Sequence, residues 1–194
     1  MSGHRKTVKR FHEPGDCHEL TLSCHRRIPL LTNDEWRHRL AESLDNAIHG
    51  QSCRLIASVL MPEHVHVLIQ PTSHDLRVDL FLKALKAPFS RRIKTLLEAA
   101  RSPLLERLTV VERPGNPGFR FWQEGGGSDR NLRSVKAVDP AIASIPENPV
   151  RRQLCKRAAD WRWSSAGHYA HDGQGASRVE VPPTIHGLTW DFDV

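Results

Sequence analysis

The stretch CRLIASVLMPEHVHVLIQ at 53–70 constrains the fold of this chain more than any other. Two apolar runs flank Pro62-Glu63, a pair suited to a tight turn, so 53–61 and 64–70 are expected to pair as an antiparallel hairpin. Alternation divides the second run: Val65 and Val67 belong on a core face, and His64 and His66 share the opposite one. A hairpin alone is marginal in water and needs further elements against its apolar side.

The flanking sequence supplies them. HELTLSCHR at 18–26 alternates, with Leu20, Leu22 and Cys24 on one face, and reads as a strand. Thr32-Asn33-Asp34 offers a helix N-cap, and 35–49 carries Trp36, Leu40, Leu44 and Ile48 at four-residue steps, closed by Gly50. A second helical pattern runs from 75 to 100 through Leu76, Leu80, Leu82, Leu85, Phe89, Ile93, Leu96 and Leu97, with Pro88 expected to kink or divide it. RPGNPG at 113–118 reads as a loop and FRFWQ at 119–123 as a short strand. The three glycines at 125–127 read as a hinge into a helix that begins within SDRNLR at 128–133. The stretch from there to Cys155 is interrupted by Pro140, Pro146 and Pro149.

Strand, helix, hairpin, helix, strand is the order of an α+β, ferredoxin-like domain. Its antiparallel sheet would carry helices on one face and leave the other open to a ligand. The expected organisation is a flexible basic arm at 1–11, a folded domain at 12–170 and a C-terminal tail at 171–194 that wraps it.

The chain has 194 residues, enough for one core, and no apolar run of the roughly 18 residues that a membrane span needs. No apolar core or cleavage site follows the basic first residues, so a cytoplasmic protein with no membrane partner is expected. The formal net charge of +6 favours polyanions such as nucleic acid. Cys17, Cys24, Cys53 and Cys155 form no C-x-x-C pair, which argues for buried thiols rather than a zinc cluster or a disulfide frame. Neither a phosphate loop nor a dinucleotide fingerprint is present, so no small-molecule cofactor is expected.

Two imidazoles at i and i+2 on a strand, their Cα atoms roughly 7 Å apart, can converge on one divalent ion and leave positions for phosphate oxygen or water. The same spacing also serves two surface or hydrogen-bonded histidines. In a chain with 12 histidines the triplet by itself does not choose between them.

The wider sequence weighs on that choice. MPEHVHVLI at 61–69 resembles the M-P-N/E-H-V-H-x-L-I signature of the HUH single-tyrosine transposases. Further pieces resemble the REP-associated tyrosine transposase branch in order and spacing. They are HEPG at 12–15 with LTLSC at 20–24, Leu85-Lys86 with Phe89-Ser90, FWQEGGG at 121–127, DRNLR at 129–133, NPVRR at 148–152 and DWRWSS at 160–165. The resemblance spans residues 11 to 170 and implies the HUH endonuclease fold. It also implies a divalent metal, Mg or Mn, held by His64 and His66, and single-stranded or hairpin DNA as partner. The implied chemistry is nicking and rejoining through a tyrosine, carried on a helix after the sheet, that leaves a 5′-phosphotyrosine link. A homodimer is a common form of the family.

This chain departs from that pattern at the nucleophile. Ser128 stands where the resemblance places the tyrosine, and a serine hydroxyl is both less acidic and shorter than a phenol. The chain has a single tyrosine, Tyr169, whose expected role is an aromatic plug on the core, with nucleophile as the alternative. Asp139-Pro140 and Ile145-Pro146 interrupt a helix that the family keeps continuous, at about 3 kcal/mol for an interior proline. Asn131, or Asp129, is the candidate third metal ligand, and each could instead be a helix cap. Lys86, Arg91, Arg92, Lys94, Arg130 and Arg133 are candidate phosphate contacts or a solvated helix face. Trp122 could stack on a base or pack in the core, and Trp161 and Trp163 read as structural.

Three readings follow. The first is a transposase-like protein that binds single-stranded DNA and is impaired in cutting it. The second is a non-catalytic repeat-binding module on the same fold. The third is a ferredoxin-like protein that binds no nucleic acid.

Overall fold

A computed structural model describes residues 16–73, 77–113, 115–125 and 127–170. The expected arm, the HEPG piece, Leu76 and the expected tail lie outside the described residues.

Four strands form the main sheet: β1 (Cys17–Ser23), β2 (Cys53–Leu60), β3 (His64–Pro71) and β6 (Ser128–Leu132), in the order β2-β3-β1-β6. All three pairings are antiparallel. The expected hairpin is β2–β3, closed at 62–63 where the Met61 N–H donates to the His64 carbonyl at 2.8 Å. A bulge at Ile56 interrupts the β2–β3 ladder between Leu55 and Ala57. A second, two-stranded sheet pairs β4 (Thr109–Arg113) with β5 (Asn116–Phe119).

Helices α1 (Asp34–Gly50) and α2 (Val78–Ala99) cover the first face. Asn33 caps α1 by accepting the Trp36 N–H at 3.1 Å, as its position before the periodic run predicts. Leu20, Leu22, Val65, Val67 and Ile69 of the sheet pack there with Leu40 and Leu44 of α1 and with Phe81, Leu85, Phe89 and Ile93 of α2. Fully burying side chains of this size contributes about 1.5–3 kcal/mol each. Pro88 neither divides nor ends α2: it sits on the exposed side, where the ladder can loosen towards solvent.

The short helices α3 (Leu104–Arg107) and α5 (Asn148–Arg151) lie in connections, α4 (Val135–Ser144) follows β6, and α6 (Ala166–Ala170) is the last described element. The α+β class and the antiparallel sheet are as expected, but the second face is not bare. Val138 and Ala141 of α4, with Ile145, pack there against Cys17, Val59, Leu68 and Leu132. Pro140 is tolerated inside α4 on its exposed side, so the expected interruption does not occur at this proline.

Local expectations fail near the glycines. The sequence 116–119 is a hairpin strand rather than a loop, and 119–123 is not a strand of the main sheet. Trp122 meets that sheet through a single bridge to Cys24. SDRNL is edge strand β6, not a helix start, and the helix waits for Ser134 and the apolar steps Val138, Ala141 and Ile145. Period-two burial outweighs the capping look of Asp129 and Asn131, because Leu132 must reach the core beside Cys17.

The DWRWSS segment locks the C-terminal part of the described chain to the sheet. The Trp161 indole donates to the Leu60 carbonyl at 3.1 Å and the Trp163 indole to Asp34 at 2.9 Å. The Ser58 N–H donates to Ser165 Oγ at 3.1 Å. Both tryptophans are structural, and the buried Arg37 guanidinium lies 5.0 Å from the Trp161 ring. Among the described residues the cysteines are free thiols, and burial pushes those of Cys17, Cys24 and Cys53 up to about 12.

Candidate functional site

Strand register decides what surrounds the histidines. Cross-strand partners share a face of the sheet. His64 and His66 lie opposite Ser23 and Thr21 of β1, and Thr21 in turn lies opposite Ser128 of β6. The pair therefore occupies the second face, beside α4 and away from α1 and α2, while Val65 and Val67 are buried under those two helices.

The two rings stand edge to face with centroids 4.7 Å apart. His66 Nδ1 is 2.9 Å from Thr21 Oγ1, and His64 Nδ1 is 3.2 Å from Glu63 Oε1. With its proton on Nδ1, the His66 ring is oriented by the Thr21 hydroxyl, whereas His64 Nδ1 lies beside the Glu63 carboxylate without a hydrogen bond to it. Glu63 is itself neutralised by Arg152, at 3.1 Å. Burial pushes the His66 ring down to about 4, assisted by the charges of His64, Arg151 and Arg27. Burial also lowers His64, against the pull of Glu63 and with the push of Arg27 and Arg152. Near neutral pH both rings are thus uncharged, as a metal ligand must be.

Two neutral imidazoles side by side on one face of the sheet could serve as two ligands of a divalent ion. Among the described residues no group of three or more His, Cys, Asp or Glu side chains gathers around such a position. Asn131 does not supply a third ligand, because β6 turns it to the first face. There it lies opposite His18, and its amide donates to Asp16 at 2.6 Å. Asp129 is on that same face, 3.1 Å from His18 Nδ1. Neither is a helix cap.

Ser128 does share the face of His66, but two strand spacings away, about 10 Å. It is an exposed strand residue rather than part of a helix. The helix that follows the sheet on the histidine face is α4, whose sequence VKAVDPAIAS contains no tyrosine. Tyr169 is committed elsewhere. Its hydroxyl donates to the Ile56 carbonyl, the group left over by the bulge in β2, and burial pushes its phenol up to about 12. That is a structural role, and a phenol so raised is a weaker acid and a poorer source of phenolate.

The expected basic contacts divide. Lys86, Arg91, Arg92 and Lys94 lie on α2, across the sheet from the histidines, with Lys86 donating to the Gly125 carbonyl at 3.0 Å and Lys94 3.5 Å from Glu98. Arg133 follows β6, 3.8 Å from Asp16. Arg130 stands on the histidine face at the sheet edge and donates through Nε to Glu19 at 2.8 Å. Trp122 is buried between Phe89 and Phe121, ring centroids 5.7 and 4.9 Å away, so it packs in the core rather than offering a face to a base.

Sequence reading missed Thr21, Glu63, Arg27, Arg151 and Arg152. Glu63 immediately precedes His64, which is a usable signal. Thr21 could be found only from the register of β1 on β3. Arg151 and Arg152 fall in the NPVRR piece, which assigns them no role, and reach the site from the end of α5. Arg27 reaches it from the turn after β1, which no period reveals.

With this geometry in place, the likenesses to known proteins can be stated. Residues 17–107, a little under half of the chain, match the family model of the IS200-like transposases. No curated protein matches the sequence. Among solved structures, a candidate transposase from Deinococcus radiodurans aligns with 76% of this chain and 97% of its own at 22% identity, with a TM-score of 0.42. A REP-associated tyrosine transposase, solved bound to a REP hairpin, aligns with 98% of this chain and 99% of its own at 17% identity, with a TM-score of 0.65; the two share a fold.

Proposed function

We propose that this chain is a transposase-like protein that binds single-stranded or hairpin DNA on the His64–His66 face and is impaired in cutting it. The observation that carries the reading is the histidine pair itself: two neutral rings on one face of the sheet, edge to face with centroids 4.7 Å apart, His66 held by the Thr21 hydroxyl and His64 set beside Glu63. The match to IS200-like transposases and the fold shared with a transposase bound to a REP hairpin support it.

His64 and His66 would hold a divalent ion, Mg or Mn, which when bound supplies charge neutralisation at a phosphate oxygen. Thr21 orients the His66 ring, the Glu63 carboxylate lies beside His64, and the apolar packing of Cys17, Val59, Leu68 and α4 occupies the same face of the sheet. A phosphotyrosine step has no nucleophile here. Tyr169 is bonded to Ile56, α4 offers none, and Ser128 is short and distant. The second reading, a repeat-binding module without catalysis, differs only in how completely cutting has been lost.

The test is a labelled hairpin oligonucleotide with a single-stranded flank, incubated with the protein and manganese. A native gel should show a shifted band, and a denaturing gel should show neither a cut nor a protein–DNA adduct. A cut that disappears in His64→Ala would refute the impairment. Absence of any shift at low salt would refute DNA binding. Cutting by Ser128→Tyr would show that position 128 can reach the phosphate from the edge strand.

A further inference from the structure

Beside the histidines lies a group of cations to which the sequence pattern assigns no role, although two of them fall in the NPVRR piece at 148–152. Immediately after β1 the chain makes a tight turn in which Arg26 and Arg27 both adopt left-handed backbone, with φ of 51° and 55°. This conformation is uncommon for a residue with a side chain, and two in succession persist only where the surroundings impose them. Here they do. The Cys24 N–H donates to the Glu63 carbonyl at 2.9 Å, the His25 N–H to the Phe121 carbonyl at 2.7 Å, and the Arg26 N–H to Gln123 Oε1 at 3.1 Å. The Arg27 N–H then donates to the Cys24 carbonyl at 3.0 Å. The turn is thereby tied to the residue that contacts His64, and it presents two exposed arginines.

A second segment brings two more cations to the same place. Arg151 and Arg152 end α5 and are exposed. Arg151 is braced by donating through Nη2 to the Ser144 carbonyl at the end of α4. Arg152 reaches Glu63, and so joins the chain from Arg152 through Glu63 to His64. Arg27 and Arg151 lie near enough to His66, and Arg27 and Arg152 to His64, for their charges to act on the rings. Among the described residues Glu63 is the carboxylate bonded into this group, so the cations outnumber it.

We propose that Arg27, Arg151 and Arg152 form a phosphate clamp around the histidine pair, holding the backbone of single-stranded DNA from two sides. The inference rests on the DNA-binding reading above and goes further: it names the contacts, and it moves them from α2 to the turn after β1 and to α5. Arginine suits the task because its planar fork pairs with phosphate oxygens in two places while Glu63 or the Ser144 carbonyl holds the rest of the group. Such contacts set affinity and register without reading sequence.

The test is the salt dependence of binding to a labelled hairpin with a single-stranded flank, measured by fluorescence anisotropy in EDTA so that no metal contributes. Removing one phosphate-binding arginine should flatten the slope of log affinity against log salt by about 0.7 for a single strand. Arg27→Gly removes the charge while favouring the left-handed turn, so its effect is not one of misfolding. Arg151→Gln and Arg152→Gln should each flatten the slope, the triple variant by about 2, and Arg152→Lys should largely keep it. The clamp is overturned if the triple variant binds with the wild-type slope, as it would were the phosphates carried by Arg91 and Arg92 on α2. If wild-type protein binds no DNA even at low salt, the DNA-binding reading itself falls, and the clamp with it.

Discussion

Gly127 sits where fold and site meet, and its replacement by alanine has a calculable effect. Its φ is +75°, and a Cβ built there would lie 2.0 Å from the Thr21 carbonyl oxygen, a backbone atom that cannot swing aside. Gly125 makes a matched control: its φ is +94°, yet a Cβ there meets nothing within 4 Å. Both substitutions carry the strain of a left-handed residue, about 1–2 kcal/mol. At Gly127 the start of β6 must in addition move about 1 Å from β1 to reach the shortest contact that real Cβ atoms show, which loosens the ladder at Thr21 and Ser128. Losing one or two ladder hydrogen bonds adds about 1–2 kcal/mol. Gly127→Ala should therefore destabilise by about 3 kcal/mol, or about 10 °C in Tm for a domain of this size, and Gly125→Ala by about half as much. Urea or thermal unfolding of the two variants measures the difference. Because Thr21 also holds His66, Gly127→Ala should weaken manganese binding in a calorimetric titration and Gly125→Ala should not. Equal stabilities for the two variants, to within about 0.5 kcal/mol, would refute the close approach and with it this link between the edge strand and the site.

Three further outcomes are expected. Thr21→Val, which removes the hydroxyl beside His66 Nδ1, should weaken manganese binding about 10–100-fold, whereas Asn131→Ala, on the opposite face, should leave it unchanged in the same titration. The folded-state pKa of His66, about 4, lies below the unfolded value near 6.5, and that of His64 is lowered too. The stability that His66 contributes is therefore fully present above about pH 6.5 and lost as pH falls towards 4, by up to about 1.4 kcal/mol per unit, and the lowered His64 acts in the same direction. Urea midpoints across that range should show the decline, and His66→Gln should flatten it. Tyr169→Phe leaves the Ile56 carbonyl of the bulge without its donor and should cost about 1–2 kcal/mol in urea unfolding, with DNA affinity unchanged in an anisotropy titration.

The parts of this molecule that were legible in the sequence are those governed by a repeating pattern. The β2–β3 hairpin, the Asn33-capped α1 and the long α2 follow from apolar spacing that one side of each element must bury. The face shared by His64 and His66 follows from strand geometry alone. What lay hidden depends on register and on turns. Asn131 looked like a ligand when 128–133 was read as a helix, where positions three apart meet. On a strand, its alternation with Leu132 sends it to the other face. The basic residues of α2 drew attention because they cluster in sequence, yet α2 packs across the sheet from the histidines. Arg27 and Arg151 are separated by more than a hundred residues and come near the site only because one turn is tied to Glu63 and the end of α5 is bonded to Ser144 and Glu63. Prolines misled in the other direction, since Pro88 and Pro140 both sit on exposed sides of helices that carry through them.

The central claim is that His64 and His66 hold a divalent ion at the place where DNA docks. Its most direct test is the affinity of a labelled hairpin oligonucleotide with a single-stranded flank, measured with and without manganese for the wild-type chain and for His66→Ala. Manganese should tighten binding by the wild-type chain and have no effect on the variant, which retains the arginines. An equal response in both proteins, or none in either, would contradict the claim.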